Sequence, residues 1–411
     1  MLRISFLWTG LLACLALPVS ASPVNMSQSL NTYMQRVWEQ HPNINAAQAA
    51  LDAARQRAEA AGQPLYNPEL ELEAEKTDIN TFSVGISQTI DWGGKRGAQQ
   101  QIGNAEIQLS KADLAITKQQ VSAEVLTALV HYQTAQRHLQ LAQHRAELTE
   151  RLTETIEQRF SAGDIGQLDV ALARVAHSQS RMQLATHKAE TVKLYGELLS
   201  VSGLEQEHWP SLLEVPLKPQ KNPVRDELLS QLPHLIAQQS RVQIAKSATG
   251  LAKANRSTEP TLGLRGGRED TENLIGLSLS FPLMVRNNFS AEVKAASADV
   301  IQQEQTLMDI HRRVSARFDG SLERFRLIHA AWQTWKDGDA ALLTQQMDLL
   351  QHIWKAGEIN TSEFLLQAGQ NVDAQEAATD LVGDMWLAWI DWLDASGQIN
   401  DWIKNTDLHQ I

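Results

Sequence analysis

Apolar residues in this chain follow a helical period, switch to strict alternation for about twenty residues, and return to a helical period. The whole succession is then written a second time. In the first copy a helix is expected over roughly Leu30 to Gln40, broken at His41-Pro42, and a second, Ala- and Gln-rich helix over about Asn45 to Ala61. Pro64 and Pro68 stop it, because proline lacks the amide hydrogen and restricts the residue before it. Leu70, Leu72 and Ala74 then alternate with Glu69, Glu71, Glu73 and Glu75. After a turn, Phe82, Val84, Ile86 and Ile90 alternate with Ser83, Gly85, Ser87 and Thr89. A period of two over such lengths predicts a β-hairpin with one apolar and one polar face.

The second copy repeats this plan. Helices are expected over about Val224 to Gln231 and Ile236 to Ala254, with a break at Leu232-Pro233 and a stop at Pro260. Leu262 and Leu264 alternate with Gly263 and Arg265. After a turn near Asp270-Thr271, Ile275, Leu277, Leu279 and Phe281 alternate with Gly276, Ser278 and Ser280. Each hairpin is followed by a long helical stretch, about Gly97 to Phe160 and about Asn288 to Trp354. Some 64 residues at helical rise reach about 95 Å, far more than a single domain core requires. The ladder Ile102, Leu109, Ile116, Ala123 and its counterpart Val293, Val300, Leu307, Val314 have coiled-coil spacing. Glycines at Ala162-Gly163 and Ala356-Gly357 turn the chain, and return helices run to Gly203 and Gly397, where glycine suits a helix end. A duplication of this extent makes each half one structural unit packed on its copy.

The division that follows is a leader over 1–21, a first repeat over 22–203 (hairpin about 69–91, tip about 161–168), a linker over 204–223, a second repeat over 224–397 (hairpin about 261–282, tip about 355–362) and a tail over 398–411. The leader reading rests on Arg3, the apolar run Ile4 to Leu17 and the small residues Val19-Ser20-Ala21. Its removal takes one positive charge, so the formal net charge of −12 becomes −13. Cys14, the single cysteine, then leaves with it; the sharper alternative reads Leu11-Leu12-Ala13-Cys14 as a lipoprotein box. No later segment offers 18 consecutive apolar residues, so membrane insertion would be by strands. The acidic balance argues against nucleic acid as a partner.

Two hairpins give four strands, too few to close a barrel around a pore, so either the hairpins cover something or several copies of the chain contribute to one barrel. The residues that settle the choice carry a resemblance to a known family. His41-Pro42-Asn43-Ile44-Asn45-Ala46-Ala47 and Tyr66-Asn67-Pro68-Glu69-Leu70 resemble the opening of the TolC family of outer-membrane efflux ducts. Asp91-Trp92-Gly93-Gly94-Lys95-Arg96, with Phe281-Pro282-Leu283 and Arg286-Asn287-Asn288, is similar to its metal-efflux, CzcC-like branch. Ala162 to Val170 and Ala356 to Phe364 resemble its two hairpin-tip motifs. The resemblance implies a mainly α chain with membrane β-hairpins. Three chains would form a homotrimer with a twelve-stranded β-barrel, four strands per chain, continued by an α-helical barrel of long coiled-coil helices. It also implies a Gram-negative outer membrane and its lipid as setting, and a periplasmic adaptor and an inner-membrane pump of the RND type as partners. Heavy-metal cations of the Co/Zn/Cd or Cu/Ag class are the implied cargo. The alternatives are a duct for drugs or secreted polypeptide and, more remotely, a periplasmic adaptor or coiled-coil structural protein.

In that frame Gly163, Asp164, Ile165, Leu168, Gly357, Glu358 and Ile359 are the expected adaptor-docking tips. Asp169 and Glu363, at matching positions, are either a ring of acids gating the narrow end or helix N-terminal caps. Glu69, Glu71, Glu73 and Glu75 are candidates for a cation-favouring barrel lumen, set against the plainer reading that any porin-like interior is polar. The twelve histidines show no chelating spacing, so no metal site and no cofactor is expected. Trp386, Trp389 and Trp392 read as core or inter-subunit packing, Trp92 as an interfacial anchor, and Lys95 and Arg96 as headgroup contacts or solvated charges. No phosphate loop, nucleophile elbow or cysteine nucleophile is present, so the chain is not expected to be an enzyme. Only the first copy carries the glutamate strand and the Gly-Gly-Lys-Arg patch, which makes it the place to look for cargo-specific features.

Overall fold

The computed structural model describes residues 29–205, 209–212, 215–216, 225–338 and 340–405, with nothing said of the side chains at 340–342 and 344. The expected leader with Cys14, and most of the expected linker, lie outside the described residues. The first half contains α1 (Leu30–Gln40), α2 (Pro42–Ala61), β1 (Glu69–Lys76), β2 (Asn80–Thr89), α3 (Lys95–Ser161) and α4 (Gln167–Ser202). The second contains α5 (Arg225–Gln231), α6 (Pro233–Ala254), β3 (Thr261–Glu269), β4 (Glu272–Ser280), α7 (Ser290–Gly338), α8 (Ala340–Lys355) and α9 (Thr361–Ala395). A last helix, α10 (Ile399–Asn405), follows the repeat in what composition alone marks as a tail.

The breaks fall where backbone chemistry puts them. Pro42 and Pro233 occupy the first turn of α2 and α6, three residues earlier than periodicity suggests, because a proline there costs no helical hydrogen bond. The 67 residues of α3 form one continuous helix, about 100 Å long at helical rise. Its counterpart is described as α7 up to Gly338 and α8 from Ala340, on either side of residue 339, which lies outside the described residues.

Contacts along α3 define how the helices lie. Its first part meets α2, where a Cβ on Gly103 would sit 2.8 Å from the Ala58 Cα. It also meets α6 there, through Arg241 and Asp113 at 3.7 Å. Its later part meets α4, through Thr149 and Ser180 at 2.7 Å, and α9, through His138 and Asp380 at 2.8 Å. On the other flank of α6 and α9, Gln238 donates to the Gln303 carbonyl at 3.1 Å and Arg317 pairs with Asp391 at 2.8 Å. Thus α6 and α9 lie end to end in the groove between α3 and α7. At the joint a Cβ on Gly397 would lie 3.0 Å from Leu232.

The main core gathers on the α9 side of this joint. Tyr33, Met34 and Val37 of α1 pack with Val125, Leu126 and Leu129 of α3, Leu198 of α4, Phe325 of α7, Met385, Trp389 and Trp392 of α9, and Ile399 and Ile403 of α10. The indoles of Trp389 and Trp392 stack at 4.9 Å, so the tryptophan stripe is core. A second cluster near the turns joins Leu152 and Ile156 to Val170, Trp354 and Phe364.

Tyr33 is fully buried, and its hydroxyl faces Ser202 without a well-aligned hydrogen bond. Burial pushes its pKa up to about 12 from 10.0. The phenol is then neutral in both folded and unfolded chains below pH 10, and only the unfolded chain ionises between about 10 and 12. Alkaline titration through that window should remove roughly 2–3 kcal/mol of stability. Tyr33→Phe should flatten the window without loss at pH 7; an unaltered alkaline slope in thermal melts would refute this.

Candidate functional site

The four strands form one antiparallel sheet in the order β1-β2-β3-β4, so the two hairpins pair through β2 and β3. Pairing of Glu73 with Ser83, Ser83 with Gly267, and Gly267 with Leu274 fixes the register. It gathers Leu70, Leu72, Phe82, Val84, Ile86, Leu262, Leu264, Ile275, Leu277 and Leu279 on one face. That face is open: Leu70 is 71% exposed, Ile275 81% and Leu277 85%. An exposed apolar area of this extent marks a surface meant for a non-aqueous neighbour.

The opposite face carries Glu69, Glu71, Glu73 and Glu75, with serines and glycines on the other strands. Space there is short. A Cβ on Gly267 would overlap the Phe82 carbonyl oxygen, and one on Gly263 would overlap the Ser278 hydroxyl. On the apolar face, a Cβ on Gly266 meets nothing nearer than 3.8 Å. Side chains crowd on the inside of a curled sheet, so the glutamate face is concave and the apolar face convex. The edges β1 and β4 have no partner strand among the described residues. Two of the glutamates are held in place: Ser87 donates to Glu71 at 2.7 Å and Ser83 to Glu73 at 3.1 Å. Arg265 adds a cation that alternation alone did not single out, 3.0 Å from Glu73.

Where the sheet meets the helices, the Gly-Gly-Lys-Arg patch proves structural. Asp91 accepts the Lys95 and Arg96 amides at 2.8 and 2.9 Å, capping α3. Gly94 has φ +72, and a Cβ on Gly93 would press on the Ala254 carbonyl at 2.8 Å. Lys95 is neither a headgroup contact nor solvated: its ammonium lies 2.9 Å from the buried Glu259. Tyr66 also donates to Glu259, which holds the phenol pKa above its ordinary value. Burial works against the Lys95 charge, yet Glu259 outweighs it and raises the pKa. Arg96 donates to the Gly62 carbonyl at 2.7 Å. Nothing in the spacing of Tyr66, Lys95 and Glu259 announces this triad. Trp92 is 72% exposed.

At the far end the two turns have the same geometry. Gly163 (φ +84) and Asp164 donate to the carbonyls of Phe160 and Arg159, both at 3.0 Å. Gly357 (φ +79) and Glu358 donate to Trp354 at 3.0 Å and Ile353 at 2.9 Å. This is the Schellman arrangement, in which glycine takes the left-handed position. Ile165 and Ile359 tuck against the second core cluster, while Asp164, Glu358 and Leu168 stay exposed. Asp169 and Glu363 differ. Asp169 accepts the Gly166 amide at 3.3 Å and serves as a cap, because Gly166 has no side chain to do so. In the second copy Asn360 caps the helix, accepting the Glu363 amide at 2.8 Å, and the Glu363 carboxylate is exposed.

The expected scatter of histidines has one exception: the rings of His138 and His187 stack at 5.7 Å, beside Asp380. Among the described residues no group of three or more His, Cys, Asp or Glu could hold a metal ion. No helix among them is long and apolar enough to cross a membrane.

Residues 33–203 match the family model for outer membrane efflux proteins. The fold extends the likeness to the second half. The outer membrane channel CmeC of Campylobacter jejuni has a TM-score of 0.75 at 13% identity, over 90% of this chain and 86% of that one. The outer membrane protein VceC of Vibrio cholerae gives 0.72 at 15%, over 90% and 96%. CusC, a transmembrane channel protein, gives 0.70 at 15%, over 90% and 92%. No curated protein sequence matches the chain. The chain therefore has the fold of these outer-membrane channels.

Proposed function

We propose that this chain is one third of an outer-membrane efflux duct that exports heavy-metal cations, working with a periplasmic adaptor and an RND-type inner-membrane pump. The observation that carries the reading is the sheet: four strands, two unpaired edges, an apolar convex face and an acidic concave one. Three copies joined edge to edge would make twelve strands and remove every edge, with the apolar side on lipid and the carboxylates on the lumen. Strands β2, β3 and β4, of 9 to 10 residues, have the length of about 9–11 that a tilted membrane strand requires, and β1 with 8 is one residue short. The rods reach inward from that barrel, and the exposed turns with Gly163, Asp164, Ile165, Leu168, Gly357, Glu358 and Ile359 form the adaptor-docking end. Of the two acids proposed as a tip gate, Glu363 has the freer carboxylate, since Asp169 is engaged as a cap.

Metals are favoured over drugs or polypeptide by the wall of Glu69, Glu71, Glu73 and Glu75, which raises local cation concentration. Loss of the gene should sensitise cells to a panel of Co, Zn, Cd, Cu and Ag salts more than to drugs. The variant with all four glutamates changed to Gln should complement poorly. Sensitivity to drugs alone, or full complementation by that variant, would overturn the metal reading.

A further inference from the structure

Across the middle of the concave face, the register aligns Glu71, Gly85, Arg265 and Gly276 in one row. Arg265 is the sole cation that the strands place on that face, against Glu69, Glu71, Glu73, Glu75, Glu269 and Glu272. Both of its cross-strand neighbours are glycine. A Cβ on Gly276 would lie 2.8 Å from the Arg265 Nε and 3.0 Å from its Cγ, and one on Gly85 would lie 3.2 Å from its Cβ. The arginine stem thus fills room that two missing side chains leave. Its guanidinium reaches Glu73 at 3.0 Å, and the same carboxylate oxygen accepts from Ser83 at 3.1 Å. Arg265 and Glu73 are about half exposed, with side chains at 47% and 48%, so the pair adds little stability. Its consequence is electrostatic placement.

The geometry points to Arg265 as the residue that sets ion selectivity in the barrel, an inference resting on the efflux-duct reading above. Beyond Arg265, toward the hairpin turns, the register lines up Glu75, Thr81, Glu269 and Glu272, a row acidic on three of its four strands. A tube acidic along its whole length would concentrate divalent cations but retain them, whereas conduction needs binding weak enough for release. Three guanidiniums at mid-depth interrupt the acidic wall and let the cargo leave. Arg265 acts on the field around inorganic cations and binds no ligand of its own.

The test is the reversal potential of the purified trimer in planar bilayers under a KCl gradient, with Zn²⁺ block measured on the same channels. Arg265→Gln should raise the K⁺/Cl⁻ permeability ratio about twofold or more and lower the half-blocking Zn²⁺ concentration similarly. Glu73→Gln should move both quantities the other way. Gly276→Ala, which displaces the guanidinium at constant charge, should fall between wild type and Arg265→Gln. Channels that open normally with unchanged selectivity and block in Arg265→Gln overturn this inference alone. A wild-type protein that forms no channel overturns the duct reading and the inference with it.

Discussion

Lys95→Met should cost the assembled protein about 3–5 kcal/mol, a large fraction of an ordinary folding free energy. The change removes the ammonium 2.9 Å from Glu259, a carboxylate whose side chain is only 9% exposed. Its other oxygen already lacks a hydrogen-bond partner among the described residues, so Tyr66 alone would remain to hold the charge. Lys95→Met combined with Glu259→Gln should recover most of the loss at neutral pH. Thermal melts of the detergent-solubilised protein give the answer, and equal melting temperatures for Lys95→Met and wild type would refute it. The site matters because Tyr66 and Lys95 flank the first hairpin while Glu259 precedes the second. One buried pair thus fastens both hairpins to the top of α3.

The second large effect is expected at the tips. Changing Gly163 and Gly357 together to Val should abolish crosslinking to the adaptor while the trimer persists. Both glycines hold φ near +80, which a β-branched residue adopts only at a strain of order 1–3 kcal/mol. A Cβ at either position meets nothing within 4 Å, so the damage would come from the backbone and stay local. The turn would unwind, Asp164 and Glu358 would lose their bonds to Arg159 and Ile353, and Ile165 and Ile359 would leave their seats. Site-specific crosslinking with the adaptor, beside the heat-modifiable trimer band, reads out the two halves of the expectation. Normal crosslinking would remove the docking assignment.

Much of this architecture can be read from periodicity, because helices and strands impose periods that no other constraint mimics. Pro42 and Pro233, Gly163 and Gly357, and the alternation of Leu70 to Ala74 with Glu69 to Glu75 each mark an element through local chemistry. What stays hidden depends on partners distant in sequence. Glu259 is an ordinary acid before a proline until the fold places Lys95 beside it. Arg265 looks like one more polar strand residue until the register sets it between two glycines and within reach of Glu73. The reverse also occurs. Gly93, Gly94, Lys95 and Arg96 invite a cargo role, yet a helix cap, a close backbone approach and a buried ion pair account for them.

The end-to-end joint of α9 and α6 carries one more consequence. Each α-helix bears a partial positive charge at its start and a partial negative charge at its end, about half an elementary charge each. Neither α2 nor α6 has an acidic residue in its first turn to meet that positive end. At the start of α6 the need is met from outside, since the carbonyl end of α9 arrives there at Gly397. Two helices from distant parts of the chain thus behave as dipoles in series, and the start of α6 needs no acid of its own.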